Sequence, residues 1–428
     1  MFERFFKLRE HGTSVRTEVI AGITTFLTMS YIIFVNPQIL SSTGMDRDAI
    51  FVATCLAAAV GSIIMALLAN YPIGMAPGMG LNAFFAFTVV AALGYTWQQA
   101  LGAVFISGCI FILLTVTGVR SWLIAGIAPS LRSAIAAGIG LFLAIIALGS
   151  AGIIVKNPAT MIGLGNLHSP EALLAVLGFF VIAVLDARKV RGAILIGILV
   201  VTVLSMLLGI NKFAGIVSTP PSLAPTFMQL DILGALHGGF VQVILVFVLV
   251  EVFDATGTLM GVAKRAGLLE GRQDRLGRAL LADSTAITVG SLLGTSSTTA
   301  FVESASGVQA GGRTGLTALV VGGLFLAALF FAPLAGSIPA YATAPALLYV
   351  AGLMMRELID VDWDDVTEAA PAALTTLAMP FTYSIATGLA FGFISYVVLK
   401  AGTGRFRQIH PATWVVAILF LIRFAFFA

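Results

Sequence analysis

LLGTSSTTAFVESASGVQAGGRTG, residues Leu292–Gly315, is a polar and glycine-rich passage inside a strongly apolar chain. Its reading decides the fold. It holds a carboxylate, Glu303, among hydroxyls, with a short apolar run before it and a Gly-Gly-Arg turn after it. A helix here reaches only about half the ~20 residues that a membrane span needs. Irregular backbone at membrane depth is tolerated only where protein buries it or it lines a cavity. An ionisable residue at that depth marks a functional site.

The surrounding composition supports a membrane setting. The chain has 428 residues, of which 59% are hydrophobic and 10% charged, and its mean hydropathy is +1.04. That is the profile of a polytopic membrane protein embedded in a lipid bilayer, without a sizeable soluble domain. A net charge of +3 from scattered residues gives no basis for nucleic-acid binding. Cys55 and Cys109 lie in apolar runs and read as small core residues. The four histidines lack ligand spacing, so neither a metal nor a cofactor is expected. The basic N-terminus lacks the pattern of a cleaved signal peptide.

Seven apolar stretches follow the lead-in 1–16, at about 17–35, 50–69, 83–93, 98–117, 131–148, 171–185 and 192–208. After a Pro- and Ser-rich loop, seven more run at about 238–257, 278–293, 298–308, 316–332, 341–355, 365–379 and 383–399. Basic residues gather at the N-terminus and after even-numbered stretches: Arg188, Lys189 and Arg191, then Lys264 to Arg278, then Lys400, Arg405 and Arg407. The positive-inside rule then places both termini in the cytoplasm. An odd number of spans per half inserts the second half upside down, so the chain reads as a 7+7 inverted repeat of fourteen segments. The expected division is 1–210 and 236–400 for the repeats, 211–235 for an external linker and 401–428 for a C-terminal tail. The apolar part of that tail, Ala412–Ala428, is interrupted by Arg423 and is short for a span, which suits an interfacial helix.

The third segments of the two halves match. The first reads GMAPGMGLNAFFAF, Gly74–Phe87, and the second is the quoted passage. Paired interrupted segments are the best sequence pointer to a transport site. Each is expected to be a short strand leading into a half-helix, the two N-termini facing each other with free N–H groups.

Segment 8 adds further acids in EVFDATGTLMG, Glu251–Gly261. Fourteen residues from His237 at ~1.5 Å each place Glu251 about 21 Å from the outer end, still inside the core of the bilayer. Glu251 and Asp254 stand at i,i+3 and share a face. Together with Glu303 they form a proton- or ligand-handling cluster; for Asp254 a role as a cap on the adjoining backbone is the competing reading. No buried Lys or Arg is expected in this site. The expected substrate-binding set is Glu303, Glu251, Asn82, Ala83, Phe84, Phe85, Thr298, Thr299, Ala300 and Phe301, with Phe84, Phe85 and Phe301 as candidate stacking faces. Glu251 and Asp254 are the candidates for proton coupling.

These three strings resemble the adenine/guanine/hypoxanthine permeases, the AzgA-like branch of the nucleobase:cation symporter-2 group, in family order and over nearly the whole chain. The resemblance implies fourteen spans divided into core and gate domains, purine nucleobase uptake driven by protons, and often a homodimer. It carries the family's segment 8 acid onto Glu251, its following aspartate onto Asp254, its segment 10 glutamate onto Glu303 and its segment 3 asparagine onto Asn82. Two departures stand out: many relatives have Asp where Glu251 stands, and the apolar tail is surplus to the fourteen spans. A uracil or xanthine/urate permease, or an anion transporter of the same fold, is the alternative. An enzyme is not expected, because no nucleophile or metal constellation is present.

Overall fold

A computed structural model describes residues 2–239, 243–268 and 273–427. In chain order its helices begin with α1 (Phe2–Phe6), α2 (Val15–Met29), α3 (Ile32–Ser41) and α4 (Arg47–Ile64). Strand β1 (Met75–Pro77) leads into α5 (Met79–Ala83), which continues as a widened π-type turn over Phe84–Ala92. Then come α6 (Trp97–Val116), α7 (Val119–Ala125), α8 (Pro129–Ser150), a hairpin of β2 (Ile154–Asn157) and β3 (Met161–Leu164), α9 (Pro170–Ala187) and α10 (Ala193–Leu207). The remainder comprises α11 (Ile232–Gly239), α12 (Leu245–Arg265), α13 (Gln273–Leu293), β4 (Thr298–Ala300), α14 (Ser304–Gln309), α15 (Gly315–Ala328), α16 (Ala332–Gly336), α17 (Ala340–Met355), α18 (Val366–Phe381), α19 (Ile385–Gly402) and α20 (Pro411–Phe427).

The helices start where short polar side chains can accept from the first-turn N–H groups. Ser14 caps α2, Asp46 caps α4, Ser169 caps α9 and Ser384 caps α19, while Thr96 and Gln99 form a reciprocal capping box on α6. Among the described residues eight helices are long and apolar enough to cross a membrane, and three shorter apolar helices accompany them. Neither α12 nor α13 is among them, although each has 21 residues. Both carry charged residues in apolar surroundings, Glu251 in one and Asp283 in the other.

Two bundles result. The first packs α2, α3, α4, α6, α12, α13 and α15 around the two short strands; the second packs α8, α9, α10, α17, α18 and α19. They meet through α5 and α12 against α8, α3 against α17, and α2 against α10. Core and gate domains thus stand side by side. Large apolar residues such as Leu113, Val116, Leu173 and Phe180 remain exposed on the outer surface, as a lipid-facing helix surface requires.

The C-terminal tail, expected as an interfacial helix, is α20, and it packs back on α19 through Phe393 with Phe420 and Phe391 with Phe424. Its Thr413 hydroxyl donates to Gly126 O at the end of α7, so the tail also braces the α7–α8 turn. Cys55 is buried as expected, whereas Cys109 faces outward from α6 and is not a core residue. The β2–β3 hairpin has no counterpart in the sequence reading.

Candidate functional site

β1 and β4 pair antiparallel, with Met75 opposite Ala300, Ala76 opposite Thr299 and Pro77 opposite Thr298. This is how two unwound pieces survive at membrane depth: each supplies the other's hydrogen bonds. The ladder extends beyond the strands, with Gly78 N–H donating to Ser297 O at 2.9 Å and Phe301 N–H to Gly74 O at 3.0 Å. Ser62 reaches in from α4 to accept Met75 N–H at 2.9 Å. Close approach of α13 depends on Gly290, where a Cβ would collide with the Thr298 side chain. Both interrupted segments therefore form the expected strand plus half-helix.

The half-helix N-termini differ from expectation in one respect. In α14 the first N–H groups, from Ser304, Ala305 and Ser306, donate to Phe301 O, Val302 O and Glu303 O, so they are already used. In α5 the cap residue Gly78 offers no side chain, and the helical pattern leaves the N–H groups of Met79, Gly80 and Leu81 without a helical partner.

Asn82 is fully buried, and its side-chain oxygen accepts from the Ser296 hydroxyl while Nδ2 has no partner among the described residues. That contact spans the crossing from α5 to the approach to β4. Ala83, Phe84 and Phe85 are buried, and Phe84 meets Phe247 of α12 edge to face at 4.9 Å. Thr298, Ala300 and Phe301 are buried beside them. The Thr299 hydroxyl donates to Asp283 Oδ1 at 3.0 Å, which commits its proton to α13.

Glu303 sits at the N-cap of α14 and is partly exposed. Its Oε1 accepts the Tyr31 phenol at 2.6 Å. A carboxylate with one oxygen so held keeps acceptor capacity on the other, suited to N–H donors of a ligand.

Glu251 is 1% exposed and accepts from the Ser107 hydroxyl of α6 at 3.1 Å. Ser297, at the approach to β4, lies beside the same carboxylate, yet neither its hydroxyl nor Glu251 Oε2 reaches hydrogen-bond geometry with a protein atom. The side chain of Asp254 lies outside the described residues, so the expected pairing of Glu251 with Asp254 has no geometry here. Glu251 and Glu303 have separate polar partners. Glu251 is bonded to α6 and Glu303 to the residue between α2 and α3.

Behind Thr299, on the far side of its partner Asp283, lies a buried cation that the sequence reading did not single out. Arg120, at the start of α7, and Asp283, on α13, form an ion pair at 2.9 Å with both side chains fully buried. Arg120 also donates to Leu280 O at 2.8 Å and lies over the Phe111 ring at 3.9 Å. Both terminal nitrogens of the guanidinium are engaged, Nη1 by Leu280 O and Nη2 by Asp283, which offsets part of the cost of burial. Tyr31, Ser107, Arg120 and Asp283 were all missed by sequence reasoning. Asp283 had a signal, an acid within the apolar run ALLADSTAIT, whereas Arg120 reads as one more basic loop residue and the two hydroxyls are unremarkable in sequence. A cavity of about 140 Å³ lined mainly by α8, α9 and α17 contains none of these residues.

A family model described as Permease family (Xan_ur_permease) matches residues 16–426. The adenine permease AdeP of Escherichia coli (strain K12) is 53% identical over 428 residues, covering 100% of this chain and 96% of that protein. The guanine/hypoxanthine permease PbuO of Bacillus subtilis (strain 168) is 47% identical, covering 98% of this chain and 99% of that protein. Among solved structures, the transmembrane domain of a cyanobacterium bicarbonate transporter, BicA, has a TM-score of 0.65 at 17% identity, covering 88% of this chain and 97% of that one. At that identity the likeness speaks for the fold alone.

Proposed function

The chain belongs to this Permease family, a transporter and not an enzyme, and we propose that it imports purine nucleobases (adenine, guanine or hypoxanthine) by proton symport. The observation that carries the reading is Glu303: a partly exposed acceptor, held by Tyr31, at the crossing of two broken segments. Purine edges present adjacent N–H donors, and a carboxylate meets them with charge-assisted bonds. Asn82, with an unused amide donor, supplies the complementary contact to ring or exocyclic acceptors. Ala83, Phe84, Phe85, Thr298, Thr299, Ala300 and Phe301 form the walls around this pair. Protons are carried by Glu251, with Asp254 as second candidate; a buried carboxyl with, among the described residues, one hydroxyl partner and no ion pair is poised to exchange a proton.

We read the membrane as the cell (inner) membrane with both termini cytoplasmic, supported by the distribution of Lys and Arg. The repeats are assigned to 1–210 and 236–400, with 211–235 outside and 401–428 as tail. Assembly as a homodimer rests on the family resemblance alone.

The likeness to a bicarbonate transporter raises anion transport as a second reading. The N–H groups at the start of α5 could meet an anion, but Arg120 is neutralised by Asp283, and Glu303 adds negative charge at the crossing. The geometry therefore favours a neutral base with N–H donors. The test is uptake of labelled adenine into cells expressing the chain, competed by guanine, hypoxanthine, xanthine, uracil and bicarbonate. Competition by the purines with abolition by a protonophore is expected; competition by uracil or bicarbonate alone would overturn the substrate class.

A further inference from the structure

Tyr31 stands in a two-residue break between α2 and α3, at the N-cap of α3, and is 1% exposed. Its ring is therefore fixed by packing on every side. The phenol can only donate to a carboxylate, and it donates to Glu303 Oε1 at 2.6 Å across 272 positions of sequence. Glu303 makes no side-chain cap on its own helix, so the phenol is the group that orients it. The rest of the passage is also seated on α2: the Thr28 hydroxyl reaches Glu303 O at 3.5 Å, and Gly307 lies so close that a Cβ would strike Thr25 and Ala21 O. Helix α2 with Tyr31 is thus a rigid backing against which the carboxylate is held.

We propose that Tyr31 is a positioning residue that sets what Glu303 recognises: by occupying Oε1 with a donor it leaves Oε2 as the acceptor, selecting bases that present an N–H at that edge. This rests on the reading that Glu303 binds the base. Without the phenol both oxygens are free to rotate, and a protonated carboxyl can also donate, so selectivity between donor and acceptor edges is lost. A charged hydrogen bond left unmade in a closed site is the kind of contact that discriminates strongly.

The test uses the full chain purified in detergent, with binding of adenine and hypoxanthine measured directly and uptake measured in proteoliposomes. Tyr31→Phe keeps the ring and removes the donor. Its dissociation constant is expected to rise about tenfold for the base the native protein prefers and less for the other, narrowing the preference, with Vmax changed less than about twofold and a melting temperature close to that of the native protein. The double variant Tyr31→Phe/Glu303→Gln is expected to bind no more weakly than Glu303→Gln, because the phenol acts through that carboxylate. Native binding by Tyr31→Phe, or additive losses in the double variant, would overturn the proposal while leaving Glu303 as ligand. Native binding by Glu303→Gln would instead remove the underlying reading. Should Tyr31→Phe fail to fold, 3-fluorotyrosine at position 31 carries the test, since a more acidic phenol donates more strongly to Glu303 and leaves that carboxylate in place: a changed dissociation constant supports the proposal, and a native one overturns it.

Discussion

The Glu18 carboxylate of α2 accepts the Thr317 hydroxyl of α15 at 2.6 Å, linking the first span to the turn that follows the broken segment. The same carboxylate accepts the backbone N–H groups of Arg313 at 2.8 Å, Thr314 at 3.3 Å and Thr317 at 3.2 Å. It is a fully buried anion at the N-terminus of α15, where the helix dipole favours negative charge. Arg313 in turn donates to Val308 O and Gly312 O, closing the C-terminal end of the six-residue α14. A helix so short has little intrinsic stability, and this clamp holds it. Glu18→Ala leaves several buried donors without acceptors and is expected to lower stability by about 3 kcal/mol, whereas Glu18→Gln, which keeps one acceptor oxygen, loses less. Thermal melting of the purified variants checks the order; equal melting temperatures for all three proteins would refute it.

Glu251 is bonded to Ser107 of α6, and Glu303 to Tyr31. Glu251→Gln keeps the shape and removes the exchangeable proton. Proteoliposomes loaded with unlabelled adenine are expected to retain exchange of labelled adenine while losing accumulation driven by an inward proton gradient. Accumulation at the native level in this variant would take Glu251 out of the proton path and transfer the role to Asp254.

Core and gate are joined by Gln38 of α3, whose side chain accepts the Thr343 hydroxyl of α17 and donates to Ile338 O at 3.4 Å. Arg47 adds a bond to Ile338 O at 3.2 Å. A hydrogen bond contributes about 1 kcal/mol, roughly fivefold in population, so Thr343→Val is expected to open this face several-fold more often. Labelling of Phe34→Cys by a membrane-impermeant maleimide should rise accordingly, and an unchanged labelling rate would show that the contact does not hold the face shut.

Asp365, just before α18, accepts both the hydroxyl and the N–H of Thr367, with Arg405 and Lys400 beside it. These bonds, those from Thr367 foremost, hold its carboxyl well below the usual carboxylate range. A depressed native value means that the unfolded chain takes up the proton first as pH falls. The stabilisation is therefore complete above the ordinary value of ~3.9 and is lost as the pH drops toward the native one. Between neutral pH and about pH 3 the native protein should lose melting temperature more steeply than Asp365→Asn. Parallel slopes would exclude the contribution.

The sequence by itself determined the class of the protein and the place of its irregularities. Long apolar runs leave no alternative to membrane helices, and GMAPGMG and GTSSTT cannot be lipid-facing helix, so β1 and β4 were legible at Met75–Pro77 and Thr298–Ala300 to within a few residues. Glu303 and Glu251 stood out for the same reason, as ionisable groups at membrane depth. Only the tertiary structure decided their partners. That Tyr31 faces Glu303, that Ser107 faces Glu251, and that Arg120 and Asp283 neutralise each other depend on helices 100 or more residues apart meeting at particular rotations. Hydrophobic periodicity does not encode those rotations when a helix is apolar nearly all round. Residues three apart share a face of one helix, but what that face meets is set by packing.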